Sequence, residues 1–318
     1  MGLESDLKDI QRSTWEKRNV EYNQRKTNCP KVLYHYTNLS GLKGILKNRS
    51  IWATHAGYLN DPHEVVHGRR IFRELLGQAL RKAKEDSVRV LLEKCNNSFD
   101  NKLLSTDPSD YYYCASFSEL ADELSQYRAY SNGGSGYCIG FHTEKIMAYL
   151  NQNYPNFFDC ININYDEGAQ RKFLNEVISD KIREAEELAE KYPESIDGIS
   201  NTLSQSLIQQ VNFVTCLWKQ SGFHQEREWR IIPSLFGGLM ARSYKEFRKI
   251  RDRDDIPVPY LEIPIADKED EGALSEVLSD IYVGPRLPYE KAKTGLFYLL
   301  NSLGINTMVT KPSKTALL

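Results

Sequence analysis

The feature that most constrains the fold is the interleaving of short β-branched and aromatic runs with helix-periodic segments, without regular strand–helix alternation. Residues 31–37, 50–54, 110–118, 137–141 and 158–165 read as strands, as do 226–232, 260–265, 280–283 and 306–310. Helices are expected over 3–27, closed by Pro30, and after a cap at Asn38 or Ser40, where Leu42, Ile45 and Leu46 share a face. A helix or helix pair is expected from 64 to about 94, and a helix over 118–130 opened by a serine cap. Residues 167–220 read as helical, with Phe173, Val177, Ile178 and Ile182 on one face and a break at Pro193; a last helix covers 289–303. A parallel βαβ fold would alternate regularly, so the pattern predicts a mixed α+β domain. Residues 1–29 form an N-terminal helical extension, and 30–318 a single domain with helical insertions at about 64–104 and 167–220.

Composition narrows the class. Of 318 residues, 41% are hydrophobic and 26% charged, which excludes wholesale disorder. No run approaches the roughly 18 apolar residues of a membrane span. The opening residues alternate charges where a signal peptide is apolar, and Asp6 stands where a myristoylation signal wants Ser or Thr. The expectation is a cytoplasmic protein without a membrane partner. A net charge of −2 argues against a duplex-coating protein. Six cysteines (Cys29, Cys95, Cys114, Cys138, Cys160, Cys216) lie far apart with no C-x-x-C, against a zinc site and a disulfide framework; inert buried thiols are expected for those inside apolar runs, such as Cys114 and Cys138, and no metal is expected.

Three segments place polar or aromatic residues where packing alone would not. His35 sits mid-strand, with Leu33, His35 and Thr37 on one face and Val32, Tyr34 and Tyr36 on the other; it is either a satisfied core histidine or a donor aimed at a ligand. Ser116-Phe-Ser118 leads through a helix to Tyr127 and Tyr130, neighbours at a spacing of three that suits core packing as well as a stacking platform. Glu226, Glu228 and Arg230 would share one face of a strand, the carboxylates roughly 6–7 Å apart, with Trp218, Phe223, Trp229 and Ile231 as aromatic and apolar flanks. Asp61, Pro62 and Glu64 are explained as a helix start, whereas Asn60 is not. Gly133, Gly134 and Gly136 precede a strand, so they do not form a dinucleotide-binding fingerprint.

These motifs together resemble a widespread bacterial family of uncharacterised domains. Its pattern is similar to L-Y-H-Y-T (Leu33 to Thr37), L-N-D-P-x-E (Leu59 to Glu64), S-F-S-E (Ser116 to Glu119), a W-x-x-Y-A-like segment, G-x-x-I-G-F and E-x-E-x-R-I, over about 31–285. Their order also resembles the His-Tyr-Glu type of the ADP-ribosyltransferase superfamily. That resemblance implies a split β-sheet core holding NAD as substrate, without a metal. In it His35 hydrogen-bonds a ribose, a tyrosine stacks on nicotinamide, and a glutamate binds the nicotinamide-ribose 2′-hydroxyl. Carried over, the catalytic residues are Glu228 and Glu226, and the NAD site comprises His35, Tyr36, Thr37, Asn60, Ser116, Tyr127 and Tyr130. Tyr127 replaces the family-like tryptophan, which leaves open which tyrosine stacks.

The implied activity is NAD-dependent ADP-ribosyl transfer by a toxin or antiviral-defence effector, with nucleic acid (RNA or DNA) or protein as acceptor and an antitoxin or regulatory protein as a further partner. Acceptor contacts would come from Phe223, His224 and Gln225, just before the glutamates, and from Arg248 and Lys249. The last two lie in a 242–253 run of six basic and two acidic residues, otherwise a solvated helix or loop. Two other readings stand beside this one: an NAD glycohydrolase or other hydrolase using the Glu226/Glu228 pair, and an inactive nucleotide- or partner-binding protein of the same fold.

Overall fold

The computed structural model describes residues 2–59, 63–99, 113–215, 217–234, 247–305 and 308–315. The expectations at Asn60, Asp61 and Pro62, at 110–112, Cys216, 242–246 and 306–307 lie outside the described residues. Along the chain the elements are α1 (Leu3–Arg25), β1 (Val32–Thr37), α2 (Leu39–Asn48), β2 (Ser50–His55), α3 (His63–Lys82), α4 (Asp86–Phe99), β3 (Tyr113–Ser118), α5 (Leu124–Tyr130), β4 (Tyr137–His142), α6 (Thr143–Asn153) and β5 (Phe158–Asn162). There follow α7 (Glu167–Lys191), α8 (Ile196–Thr215), β6 (Glu228–Pro233), β7 (Arg248–Arg253), β8 (Ile256–Pro264), α9 (Ala273–Val277), β9 (Leu278–Val283), α10 (Tyr289–Asn301) and β10 (Val309–Pro312). The described residues fall into two compact units, one within Met1–Arg25, Ala56–Tyr112 and Ile163–Phe223, the other within Lys26–His55, Tyr113–Asn162 and His224–Leu318.

The first unit is helical and takes in α1 together with both stretches expected as insertions. In α7 the Asp166 side chain accepts from the Ala169 amide at 3.1 Å, a side-chain N-cap. Its buried stripe is Gln170, Leu174, Ile178, Lys181, Ala185 and Leu188, which keeps Ile178 of the expected face while Phe173, Val177 and Ile182 are only partly buried beside it. Hydropathy misplaced that face because its centre holds a lysine. Lys181 is 1% exposed, and its ammonium lies 2.6 Å from Glu184 on the same helix. In α8 the buried positions Leu203, Leu207, Val211 and Val214 follow helical spacing.

The second unit holds ten strands among the described residues, in one open sheet of order β10-β9-β4-β1-β3-β2-β8-β7; β6 pairs β3, and β5 pairs β6. Every pairing is antiparallel except β10 with β9. The fold class is therefore mixed α+β. β1 and β4 pair along their full length, from Val32↔His142 to Thr37↔Tyr137. β1 and β3 share one register pair, Tyr34↔Ser118, before they part. Asn38 caps α2 as expected, accepting from the Gly41 amide at 2.8 Å, and Leu42, Ile45 and Leu46 are buried. Gly136 lets the approach to β4 pass tight against the end of β1, since a Cβ there would lie 2.4 Å from the Thr37 carbonyl.

Two local expectations fail. α5 begins at Leu124, with the Glu123 side chain accepting from the Ser125 amide, and not at a serine cap. Ser118 instead ends β3, where its hydroxyl accepts from the Leu120 amide (3.0 Å) and donates to the Glu226 carbonyl (2.7 Å). The described part of the basic run is strand β7 and not a helix or loop. It forms a hairpin with β8 through Asp254 and Asp255, both at positive φ (53° and 61°), as a two-residue hairpin turn requires.

Candidate functional site

The site starts where β1 leaves β3. Past their single register pair the His35 imidazole takes over, with Nδ1 2.9 Å from the Ser116 carbonyl. A carbonyl only accepts, so Nδ1 carries the proton, and Nε2 of the neutral ring is an acceptor. Burial holds this imidazole below its ordinary pKa, against the Ser116 hydrogen bond, which works the other way. The ring lies 5.7 Å from that of Phe117.

The two glutamates are not a pair on one strand face. Arg227 adopts φ +42°, so Glu226 ends a 3-10 helix (Ser221–Glu226) and Glu228 begins β6. The kink is held from β3: Ser118 Oγ donates to the Glu226 carbonyl, and the Glu119 amide to the Arg227 carbonyl at 3.2 Å. Glu228 and Arg230 do share a face of β6. Arg230 Nε and Nη2 donate to the two Glu228 oxygens at 2.6 and 3.1 Å, with both residues buried. This fork fixes the carboxylate's plane. The half-buried Glu226 carboxylate accepts from the Tyr130 hydroxyl at 3.1 Å.

These groups line a pocket of about 70 Å³ with Tyr34, His35, Tyr36, Ser116, Phe117, Ser118 and Gln126 around Tyr130, Glu226 and Glu228. Two carboxylates against one guanidinium suit a developing positive charge, and aromatic rings supply the walls. The Tyr34 hydroxyl is pushed up to about 12 by burial and by the buried Asp280 carboxylate, so it remains a donor at neutral pH. Asp280 in turn is paired with Lys311 at 2.6 Å and occupies room that a Cβ on Gly140 would fill.

Of the residues expected to hold NAD, His35, Tyr36, Ser116 and Tyr130 line this pocket. Tyr127 does not. It is fully buried, edge-on to Tyr36 at 5.0 Å and packed with Cys138. The Tyr36 hydroxyl is already committed, donating to the Leu120 carbonyl (2.7 Å) and accepting from the Glu123 amide (2.9 Å). Thr37 turns its hydroxyl toward Gly41, outside the lining. Tyr34, Phe117, Ser118 and Gln126 were missed as lining residues, although the S-F-S-E motif flagged two of them.

The residues expected to meet an acceptor are dispersed over different elements. His224 and Gln225 are exposed on the 3-10 helix, and Phe223, in the helical unit, has Lys219 Nζ 5.5 Å from its ring. Arg248 and Lys249 lie on β7, three strands from β3, or roughly 14 Å at ordinary strand spacing. They point to opposite faces: Lys249 pairs with Glu262, while burial and the Arg248 charge push His55 down to about 4. On the Lys249 face the Arg251 guanidinium sits 5.3 Å over Trp52, whose ring is 4.5 Å from that of Tyr260. Among the described residues no cluster of three His, Cys, Asp or Glu is arranged for a metal ion, and no helix is long and apolar enough to cross a membrane.

Residues 126–231 match the model of DUF2971, a protein family of unknown function. An uncharacterised family is thus matched, over a shorter stretch than the 31–285 that the motifs suggested. The stretch carries Tyr130, Glu226, Glu228 and Arg230 and excludes β1 with His35. Nothing in the match bears on ADP-ribosyl transfer. No curated protein and no solved structure matches the chain.

Proposed function

We propose that the protein is an NAD-consuming ADP-ribosyltransferase whose reaction centre is this pocket. The observation that carries the reading is the convergence of His35, Tyr130, Glu226 and Glu228 from distant parts of the chain on one small cavity. Nicotinamide leaves with the electron pair of its glycosidic bond, and positive charge develops on the ribose. Glu228, oriented by Arg230, stabilises that charge and accepts from the ribose 2′-hydroxyl. His35 accepts from a second ribose hydroxyl through Nε2, and Tyr130 offers its ring to nicotinamide. Glu226 takes the proton of the attacking acceptor as the new bond forms.

Nucleic acid is the proposed acceptor, supported by the Arg251–Trp52–Tyr260 stack beside Lys249, groups suited to bases and phosphates. An effector of this kind, toxin or antiviral, would work with an antitoxin or regulatory partner. The test is incubation with NAD and single-stranded RNA or DNA, reading nicotinamide release and acceptor mass together. Release with mass gain on nucleic acid supports the proposal, and gain on protein alone overturns the acceptor. Release without gain identifies a glycohydrolase, and neither signal a binding protein.

A further inference from the structure

We infer that Cys29 and Cys160 form a thiol–disulfide site, closed by reaction with a low-molecular-weight disulfide. Their Sγ atoms lie 3.6 Å apart although 131 residues separate them in sequence. A disulfide needs about 2.05 Å, so the sulfurs close by a side-chain movement smaller than one bond length. The two segments are already tied beside the thiols, because Lys26 Nζ sits 2.8 Å from Asp159. Cys29 is half-buried ahead of β1, and Cys160 is buried on β5 opposite Ile231 of β6.

The pair divides the chemistry. The hydrogen bond between the sulfurs holds Cys29 below the ordinary thiol pKa, against burial and the Glu119 charge, and drives Cys160 above it. Cys29 is therefore both the more accessible thiol and the first to ionise, the two properties an attacking sulfur needs. Cys95 and Cys138 are buried and pushed up to about 12, which leaves them inert.

In the first step the Cys29 thiolate attacks one sulfur of oxidised glutathione. It forms a mixed disulfide and expels one glutathione thiolate, which takes up a proton. The Cys160 sulfur then attacks Cys29 Sγ, giving up its own proton, and expels the second glutathione. Two protein thiols become one disulfide, and one glutathione disulfide is reduced to two thiols. The bridge fastens the approach to β1, which carries His35, to β5, the neighbour of the Glu228 strand.

The experiment exposes the full chain to oxidised glutathione, blocks free thiols with N-ethylmaleimide, and maps the peptides by mass. The expected result is a Cys29–Cys160 linked peptide and a melting temperature above that of the reduced protein, by a few degrees in a chain of this size. Cys160→Ser should stop at one glutathione on Cys29, and either serine variant should abolish the rise in melting temperature. Alkylation of both Cys29 and Cys160 in the oxidised wild-type chain overturns the inference. So does a Cys29–glutathione adduct that persists beside a free Cys160, or linkage of either residue to another cysteine. None of these readings depends on NAD or an acceptor.

Discussion

Both units bury polar groups, and one amide in the helical unit contrasts with two groups in the sheet unit. In the helical unit the Gln170 amide is enclosed: it donates to the carbonyls of Asn164 (2.8 Å) and Lys219 (3.1 Å), while its oxygen lies 2.8 Å from His67 Nε2. Every part of that amide is used inside the protein, so it joins α7 to its neighbours and offers nothing outward. In the sheet unit the corresponding groups stand on a pocket wall. Glu228 receives two bonds from Arg230, and His35 gives one to Ser116 and keeps Nε2 as an acceptor, both residues lining the pocket. A closed network specifies packing, and an open one at a cavity leaves bonding capacity for a ligand.

The largest effect that would sharpen this contrast is expected from Glu228→Ala. It leaves Arg230 buried without its carboxylate, which should cost about 3–5 kcal/mol in urea unfolding. Glu226→Gln should change stability by no more than about 0.5 kcal/mol yet remove transfer to the acceptor. Similar stability losses for the two variants would erase the distinction between the glutamates. Gln170→Leu comes next, at about 2–3 kcal/mol, because it removes the partner of His67 Nε2 and one bond from each of two carbonyls. The pocket's ligand chemistry should be unchanged in that variant; altered NAD cleavage would contradict a purely packing role.

Acid titration gives a third, smaller effect. His55 has its folded value lowered to about 4, so the unfolded chain takes up the proton first as pH falls. Stability should drop between about pH 6.5 and 4 by roughly 3 kcal/mol at most, with His35, shifted the same way, adding to the same limb. His55→Phe, which keeps a ring against Tyr113, should flatten the limb in pH-dependent denaturation curves. The smallest expected change is that of Tyr130→Phe, below about 1 kcal/mol, through loss of the bond to Glu226. Tyr127→Phe should be neutral, since its hydroxyl has no hydrogen-bond partner among the described residues. Only the Tyr130 variant, through Glu226, should alter transfer to the acceptor; a matching change in Tyr127→Phe would dissolve the difference between the two tyrosines.

What could be read from the sequence follows from what local chemistry decides. Strand alternation placed β1 and β4, and an asparagine cap placed α2, because those signals lie within a few residues. The phase of Glu226 could not be read locally. It depends on Arg227 turning to positive φ while Ser118 and Glu119, more than 100 positions earlier, capture the neighbouring carbonyls. β7 was hidden for a related reason: a run with one apolar residue becomes a strand through pairing with β8. Tyr127 and Tyr130 look alike at helical spacing, and only the packing of Tyr36 and Cys138 separates core from wall. The cysteine pair was invisible because its members stand 131 positions apart.

β7 has a second consequence. It ends the strand order, and among the described residues nothing pairs with its outer side. Such a margin displays unpaired amides and carbonyls that any extended chain can add to. Here the margin reads Arg-Lys-Ile-Arg-Asp-Arg, with Ile250 as its one apolar residue. Two copies meeting margin to margin in parallel register would set arginine against arginine and lysine against lysine. The charges thus guard the sheet against self-templated polymerisation, and a chain with threonines in their place should form aggregates during refolding while its folded state melts at nearly the same temperature.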